Sequence, residues 1–350
     1  MASETIFSFE APPVVFGDGA AAEIDFHVAR LGVTRALLVC DPFVTSSGLA
    51  ERLVGALGGR GIACDVFDRI AGEPGEKSAQ DAIAAAKAAP YDGFIGVGGG
   101  SALDTAKLCA LFATHGGELL DYVNKPIGAG KQVPGPVAPL VAVPTTSGTG
   151  SEVTSVIVLD FPRLGVKTGI SHRYLRPRLA IVDPELSLSC PRGVTAASGL
   201  DALAHALEAF TARPYGARAK AAAEERPPYN GAGPLTEALC GQAIQLVGRS
   251  LRRAVADGSD LEARREMALA ATTAGIGFGN AGVHVPHALA YPIASLKHAW
   301  SPPGYPGGAM FVPHGLAVAV TSPASYRLLA EAAPAACREA ARLLDGGDDL

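Results

Sequence analysis

Two patterns of apolar residues follow one another along this chain, and together they constrain its fold more than any other feature. Up to residue 185, short apolar runs alternate with segments in which apolar residues recur at helical spacing. The runs predict buried strands at 36–40, 64–68, 94–98, 139–144, 155–160 and 179–183. Because strands that alternate with helices pair in parallel, we expect a parallel sheet covered by helices on both faces.

The second pattern begins near residue 186, where strand signals give way to helical spacing. We therefore predict two domains, an α/β domain at 1–185 and an all-helical domain at 186–350. A chain of 350 residues is long enough for two domains with separate cores.

Composition excludes several classes of protein. The net charge is -5, without a basic stripe, which argues against a nucleic-acid partner. No apolar run approaches about 18 residues, so we expect no membrane-spanning helix. The six cysteines form no CxxC pair, and most lie in apolar runs, as is typical of reduced, buried thiols. Together with an N-terminus that lacks signal-peptide and transit-peptide patterns, these features predict a cytoplasmic protein.

A glycine-rich turn offers a site for phosphate. The segment GGGSALDTAK at 98–107 follows an apolar strand and opens a helix. Glycine lets a phosphate approach the N–H groups of the backbone, and the N-terminus of a helix favours negative charge. The segment lacks the GxGxxG fingerprint, so a tight turn that needs glycine for its shape is the alternative.

Two further features are consistent with a dinucleotide. In PTTSGTGSE at 144–152, the hydroxyls of Thr145, Thr146 and Thr149 can bind phosphate or ribose, or they can simply satisfy backbone groups in a loop. Asp41 ends a predicted strand, where a carboxylate can hold the ribose hydroxyls and repel a 2′-phosphate, which favours NAD over NADP. The alternative for Asp41 is a turn residue.

A carboxylate and several histidines indicate a metal site. Asp201 and His205 are four residues apart and share one face of a predicted helix. His287 and His314 follow in VPHALAY and VPHGLA, and one carboxylate with three imidazoles makes a four-ligand site for a divalent metal. His284 is three residues before His287, so spacing alone leaves open which of the two is a ligand.

The motifs GGGSALDTAK, PTTSGTGSE, GLDALAHALEAF and VPHG resemble the group III, iron-dependent alcohol dehydrogenase family over nearly the whole chain. The segments LLDYVNKPIGAGK and TAGIGFGNAGVHVPHALAYPI are similar to its hydroxyacid-oxoacid transhydrogenase branch. The resemblance implies a dehydroquinate synthase-like fold, with a Rossmann-like sheet before the helical domain. Because relatives continue past the equivalent of residue 350, we expect the chain to be truncated at its C-terminus.

The resemblance also implies the site residues. It implies Asp201, His205, His287 and His314 as ligands of Fe²⁺, with Zn²⁺ as the next candidate. Many relatives carry a further histidine where this chain has Tyr291. The implied cofactor contacts are Asp41, Gly98, Gly99, Gly100, Ser101, Ala102, Thr145, Thr146, Ser147, Gly148, Thr149, Val158 and Lys167. Many relatives have asparagine where this chain has Glu73.

The implied activity is hydride transfer between a small hydroxy acid or alcohol and NAD, with a metal that lowers the pKa of the substrate hydroxyl. In the transhydrogenase branch, 4-hydroxybutyrate and 2-oxoglutarate give succinate semialdehyde and 2-hydroxyglutarate. We expect His284 and Lys167 as catalytic candidates, and Lys297, His298 or Lys167 as the cation for a substrate carboxylate. The alternatives are a dehydrogenase that uses free NAD and a non-catalytic remnant. A homodimer is the expected assembly.

Overall fold

The computed structural model describes residues 2–70, 74–296, 299–306 and 310–345. Within these ranges the chain forms two compact units. The first consists of Pro12–Thr145 and Ser151–Leu186. The second consists of the described residues before Pro12, of Thr146–Gly150 and of those from Ser187 onward. The division into two domains at residue 185 stays a prediction, because the second unit also includes two short segments from the first half of the chain.

The first unit is an α/β structure. Its strands are β1 (Val14–Phe16), β2 (Arg35–Cys40), β3 (Ala63–Phe67), β4 (Gly93–Gly98), β5 (Leu140–Pro144), β6 (Val156–Phe161), β7 (Val166–Ser171) and β8 (Leu179–Val182). Its helices are α1 (Ile24–Arg30), α2 (Pro42–Ser46), α3 (Leu49–Gly59), α4 (Glu76–Ala86), α5 (Gly100–His115) and α6 (Leu119–Tyr122). Six of the strands form one sheet in the order β1-β8-β5-β4-β2-β3, and every neighbouring pair is parallel.

Both faces of this sheet are buried, as the continuous apolar runs predict. On β2, Leu38 and Cys40 belong to a core shared with α1 and α3, whereas Leu37 and Val39 belong to a second core shared with α5. Successive side chains of a strand point to opposite faces, so one run of apolar residues fills both cores. The predicted fold class is confirmed.

One predicted strand does not join the sheet. Residues 155–160 were expected in the parallel sheet, but β6 pairs antiparallel with β7 in a separate two-stranded ribbon. The burial pattern explains the difference. Every residue of β4 and β5 is buried, whereas β6 alternates buried and partly exposed positions, as expected of a strand with one covered face.

The second unit is built from helices. They are α7 (Arg192–Thr211), α8 (Pro234–Ala256), α9 (Leu261–Ala281), α10 (Val285–Ser295), α11 (His314–Ala332) and α12 (Pro334–Asp345). Helix α8 begins with Pro234, and α9 is capped by Asp260, whose side chain accepts from the backbone N–H of Ala263 at 3.0 Å. The core between α7, α8, α9 and α12 consists largely of alanine. Among the described helices, none combines the length and apolarity required to cross a membrane.

Candidate functional site

Helix α7 presents three polar side chains on one face of an otherwise apolar helix. Asp201, His205 and Glu208 are spaced at i, i+4 and i+7, so they project from the same side over two turns. All three are buried, and Glu208 has 0% of its surface exposed. A buried polar face of this kind needs partners from neighbouring helices.

Two histidines from other helices reach Asp201. His287 is the third residue of α10, and His314 is the first residue of α11. Oδ1 of Asp201 lies 3.5 Å from Nε2 of His287 and 3.7 Å from Nε2 of His314. On α7 itself, Nε2 of His205 lies 3.8 Å from the same oxygen. All four predicted ligands therefore lie near one carboxylate oxygen, and the ligand atoms of Asp201, His287 and His314 also lie within 4.8 Å of one another.

Two of the atoms at the centre of this cluster make no hydrogen bond to the described residues. Oδ1 of Asp201 and Nε2 of His287 are buried, and neither has a hydrogen-bond partner among the described residues. The separations of 3.5 to 3.8 Å exceed ordinary hydrogen-bond lengths. Ligands held about 2.1 Å from one cation lie roughly 3.0 to 3.5 Å apart. The observed separations are slightly longer than this range, and the donor set of one oxygen and three nitrogens suits a borderline divalent metal.

The electrostatics of this cluster are strongly perturbed. Burial raises the pKa of Asp201, but the surrounding imidazoles outweigh burial and hold that pKa below its ordinary value. Burial lowers the pKa of His205 to about 4. Burial lowers the pKa of His287 as well, but the negative charges of Asp201 and Glu208 outweigh burial and bring that pKa to about 9. At neutral pH, Asp201 is ionised and His205 is neutral, as ligands must be, while a cation must displace a proton from His287.

Aromatic rings pack against two of these histidines. Phe278 stacks on His205 with ring centroids 4.0 Å apart, and Tyr291 stacks on His314 with centroids 5.6 Å apart. Stacked neighbours restrict the rotation of an imidazole ring. Tyr291, which stands where many relatives carry a histidine, therefore lies beside the cluster.

Glu208 is the residue that the sequence analysis missed. One of its carboxylate oxygens accepts from Nδ1 of His287, and the other accepts from the backbone N–H of His284, both at 2.5 Å. The signal was present in GLDALAHALEAF, where a glutamate follows His205 by three residues on an apolar helix. Spacing showed that Glu208 shares the face of Asp201, but it did not show what the carboxylate contacts.

His284 lies beside the cluster, with both ring nitrogens engaged. Its Nδ1 accepts from the backbone N–H of Val285 at 2.9 Å and caps α10. Its Nε2 lies 3.1 Å from Oγ1 of Thr211, and that hydroxyl donates to the carbonyl of Leu207 at 2.7 Å. The imidazole therefore carries its proton on Nε2, and burial lowers its pKa. The acid–base role of His284 stays a prediction.

In the first unit, the glycine turn connects β4 to α5. Gly98 has a φ of 142°, and a Cβ at this position would lie 2.8 Å from Cβ of Ala102 and 2.8 Å from Oδ2 of Asp41. Gly99 is the N-cap of α5 and supplies no side-chain cap to the first turn, which contains Gly100 and Ser101. A helix N-terminus with a close, uncapped backbone is suited to bind phosphate, and phosphate binding at this turn stays a prediction.

The two carboxylate oxygens of Asp41 lie in different surroundings. Oδ1 accepts from the backbone N–H groups of Phe43 and Val44 at 2.9 and 3.1 Å and so caps α2. Oδ2 faces the turn at Gly98. The alternative for Asp41 was a turn residue, whereas the structure shows a helix cap that leaves Oδ2 directed toward the glycine turn.

The hydroxyl-rich segment divides between the two units. Thr145 lies in the first unit, and its backbone N–H donates to the carbonyl of Gly98 at 3.0 Å. The residues from Thr146 to Gly150 belong to the second unit. A Cβ on Gly148 would lie 2.6 Å from Cβ of Ser198, so this segment packs directly against α7, the helix that carries Asp201.

The remaining candidates lie on the β6–β7 ribbon or outside the described residues. Lys167 lies on β7, and burial lowers its pKa to about 8. The backbone N–H of Val158 donates to Oδ2 of Asp104 at 2.8 Å. Glu73, Lys297 and His298 lie outside the described residues.

Known sequences match both halves of the chain. Residues 11–184 match the family model "Iron-containing alcohol dehydrogenase", and residues 229–349 match "Fe-containing alcohol dehydrogenase family, C-terminal". The mitochondrial hydroxyacid-oxoacid transhydrogenase of Caenorhabditis briggsae is 44% identical over 91% of this chain and 69% of that protein. The mitochondrial enzyme of the same name from Mus musculus is 41% identical over 97% of this chain and 73% of that protein.

Solved structures agree with these matches. A 1,3-propanediol oxidoreductase superposes with a TM-score of 0.83 at 33% identity, covering 97% of this chain and 80% of that one. A sulfoacetaldehyde reductase from Bifidobacterium kashiwanohense, solved in complex with NAD+, superposes with a TM-score of 0.78 at 28% identity, covering 97% and 85%.

These relatives correct one prediction and establish the family. The predicted cytoplasmic location was wrong, because the transhydrogenases it resembles are named mitochondrial. The prediction rested on the cysteine pattern and on the lack of a signal-peptide or transit-peptide pattern, and reduced cysteines do not distinguish one reducing compartment from another. The two family matches and the relatives at more than 40% identity show that this chain is an oxidoreductase of the iron-containing alcohol dehydrogenase family.

Proposed function

We propose that this chain transfers hydride between a small hydroxy acid or alcohol and NAD with the help of a divalent metal, and that it acts as a hydroxyacid-oxoacid transhydrogenase. The observation that carries the proposal is the buried Oδ1 of Asp201, which three imidazole nitrogens face at 3.5 to 3.8 Å. Family membership and the NAD+ complex of a structural neighbour support a dinucleotide and a divalent metal as cofactors.

Four residues of the second unit would hold the metal: Asp201, His205, His287 and His314. Each histidine presents Nε2 toward Asp201, whose charge offsets part of the charge of a divalent cation. Three nitrogens and one oxygen suit Fe²⁺, which the family's name favours, and Zn²⁺ accepts the same donors.

The dinucleotide would bind through residues predicted from the sequence. The glycine turn and the N-terminus of α5 would hold its phosphates, and the free oxygen of Asp41 would accept from ribose hydroxyls. The segments that contribute are Gly98–Ala102, Thr145–Thr149, Val158 and Lys167. This arrangement supports the proposed division into an α/β dinucleotide domain at 1–185 and a helical metal domain from 186.

When bound, the cation would supply Lewis acidity toward the substrate oxygen, and the nicotinamide would supply the hydride chemistry. The protein's part is to hold both groups in fixed positions. The stacked rings of Phe278 and Tyr291 restrict the rotation of two imidazoles, and Asp201 itself is buried.

The relatives' names support the substrate class. Two proteins more than 40% identical to this chain are named hydroxyacid-oxoacid transhydrogenases. We propose the same pair of half-reactions here: 4-hydroxybutyrate gives up a hydride and a proton to form succinate semialdehyde, and 2-oxoglutarate takes them up to form 2-hydroxyglutarate. A dinucleotide held at the glycine turn would carry the hydride from the first half-reaction to the second.

A paired-substrate assay tests the proposal. The purified, metal-loaded protein is given 4-hydroxybutyrate with and without 2-oxoglutarate and with no added NAD, and succinate semialdehyde is measured. We expect turnover that requires 2-oxoglutarate. Asp201→Asn should abolish it and still bind NAD, whereas Asp257→Asn, an exposed change on the same unit, should leave it intact.

Two results would contradict the proposal. Turnover that needs added NAD and ignores 2-oxoglutarate identifies an ordinary NAD-dependent alcohol or 4-hydroxybutyrate dehydrogenase. A protein that binds neither metal nor NAD in calorimetry is a non-catalytic remnant.

A further inference from the structure

The carboxylate of Glu208 has an unusual position for a charged group. Glu208 is fully buried on α7, and each of its two oxygens accepts one short hydrogen bond. Oε1 accepts from Nδ1 of His287, and Oε2 accepts from the backbone N–H of His284, both at 2.5 Å. A buried carboxylate is costly unless it is fully hydrogen-bonded, so both contacts stabilise its charge.

The first contact determines the state of the His287 ring. Because a carboxylate only accepts, Nδ1 of His287 must carry a proton. That proton on Nδ1 lets Nε2 of a neutral ring offer its lone pair, and Nε2 is the atom that lies 3.5 Å from Oδ1 of Asp201. The contact therefore selects the tautomer in which the ligand nitrogen faces the cluster.

The second contact fixes the helix that carries His287. His284 is the N-cap of α10, and its own ring is occupied by Val285 and Thr211. The backbone N–H of His284 donates to Oε2 of Glu208. One carboxylate on α7 thus holds both the ring of His287 and the first turn of α10.

We propose that Glu208 is the positioning residue of the metal centre: it orients the imidazole of His287, fixes its tautomer and ties the start of α10 to α7. The inference rests on the proposed metal site. It assigns to Glu208 no contact with the metal or the substrate, because both oxygens are already engaged. Removal of such a partner weakens metal binding by about 10- to 100-fold.

Metal titration of the metal-free protein tests this role without reference to activity. Wild type, Glu208→Gln and Glu266→Gln are titrated with Co²⁺ and with Zn²⁺, and the dissociation constants are compared. Glu266 is the matched control, because it is a hydrogen-bonded carboxylate of the same unit that pairs with Arg249. We expect Glu208→Gln to bind about 10- to 100-fold more weakly and Glu266→Gln to bind as wild type does.

A proton spectrum of the Zn²⁺-loaded protein supplies a signature that a merely structural role would not move. We expect a downfield Nδ1–H resonance from His287 in wild type, identified by its loss in His287→Gln. In Glu208→Gln it should shift upfield or exchange with water. If Glu208→Gln fails to fold, Glu208→Asp retains the charge on a shorter arm and should still bind the metal more weakly than wild type.

The outcomes separate the two proposals. A wild-type protein that binds no metal overturns the proposed function, and this inference falls with it. Tight binding by wild type and equally tight binding by Glu208→Gln, with the resonance unmoved, overturns the role of Glu208 alone.

Discussion

Single residues of the same type have opposite properties in this protein because their burial and partners differ. Burial lowers the pKa of His205 to about 4. His287, which is buried to a similar extent, has a pKa of about 9, because two carboxylates outweigh the effect of burial. A histidine in a sequence therefore indicates a group that can bind a metal or a proton, and its neighbours in the fold determine its pKa.

Substitution of Gly98 tests the importance of the glycine turn. Gly98→Ala should lower the free energy of unfolding by at least about 2 kcal/mol, because alanine meets both a strained φ and two atoms at 2.8 Å. NAD affinity should fall as well. Urea unfolding and calorimetry measure the two effects. Gly165→Ala is the control, since Gly165 has a φ of 63° with open space around it and should show only backbone strain of about 1 kcal/mol.

Lys167 predicts a pH dependence of stability. Its pKa is about 8 in the folded chain against 10.5 as the reference, because burial disfavours the charged form. Between these values the unfolded chain binds a proton that the folded chain does not, so stability rises with pH in this window and is flat below it. The free energy of unfolding of wild type, compared with that of Lys167→Met, should rise by up to roughly 3 kcal/mol between pH 8 and pH 10.5, as measured by urea unfolding. A constant difference across this range would contradict the shift.

At the level of elements, the helices of the second unit approach so closely that glycine is required at contact points. A Cβ on Gly277 of α9 would lie 2.2 Å from Sγ of Cys240 on α8. A Cβ on Gly199 of α7 would lie 2.3 Å from Cδ1 of Leu251 on α8. These positions, together with the alanines of the core, let α7, α8 and α9 pack at short range.

Two glycines in helices should therefore respond to alanine with opposite signs. Gly277→Ala should lower the free energy of unfolding by about 1 to 3 kcal/mol, because the added methyl group overlaps Cys240. Gly55→Ala in α3, where nothing lies within 4 Å, should raise it by about 0.5 to 1 kcal/mol. Chemical denaturation of both variants decides the matter, and equal effects would show that helix propensity alone matters.

For the whole molecule, the metal would bind to the second unit, whereas the proposed dinucleotide contacts lie mainly in the first unit, with Thr146–Thr149 in the second. All four predicted metal ligands belong to the second unit, whereas the glycine turn and Asp41 belong to the first. A ligand stabilises the structure to which it binds in proportion to the logarithm of its concentration over its dissociation constant.

Hydrogen exchange with and without the metal tests this division. At a free metal concentration one hundred times its dissociation constant, we expect about 2.7 kcal/mol of added protection. It should appear in α7, α10 and α11, while β2 and β4 exchange as before. NAD should protect β2, β4 and α5. Protection by the metal that is confined to the first unit would contradict the ligand assignment.

Much of the fold follows from local patterns. The buried runs at 36–40 and 94–98 became β2 and β4, because a strand covered on both faces must be apolar throughout. The run at 155–160 misled the prediction, because a short apolar run does not reveal which strand it pairs with, and its partner β7 carries Lys167 and Thr168. Pairing depends on residues that are distant along the chain.

The sequence by itself determined the chemistry available at the site: the aspartate and histidine of one helix turn, two later histidines, a glycine turn and the family that combines them. These follow from helical spacing and residue type, which are local properties. Only the tertiary structure decided that Asp201 lies at the centre of three imidazoles, that Asp41 divides its oxygens between a helix cap and the glycine turn, and that Glu208 contacts His287. Each of these depends on the packing of separate helices and strands, because distances of a few ångströms between residues far apart in sequence are not encoded in any single segment.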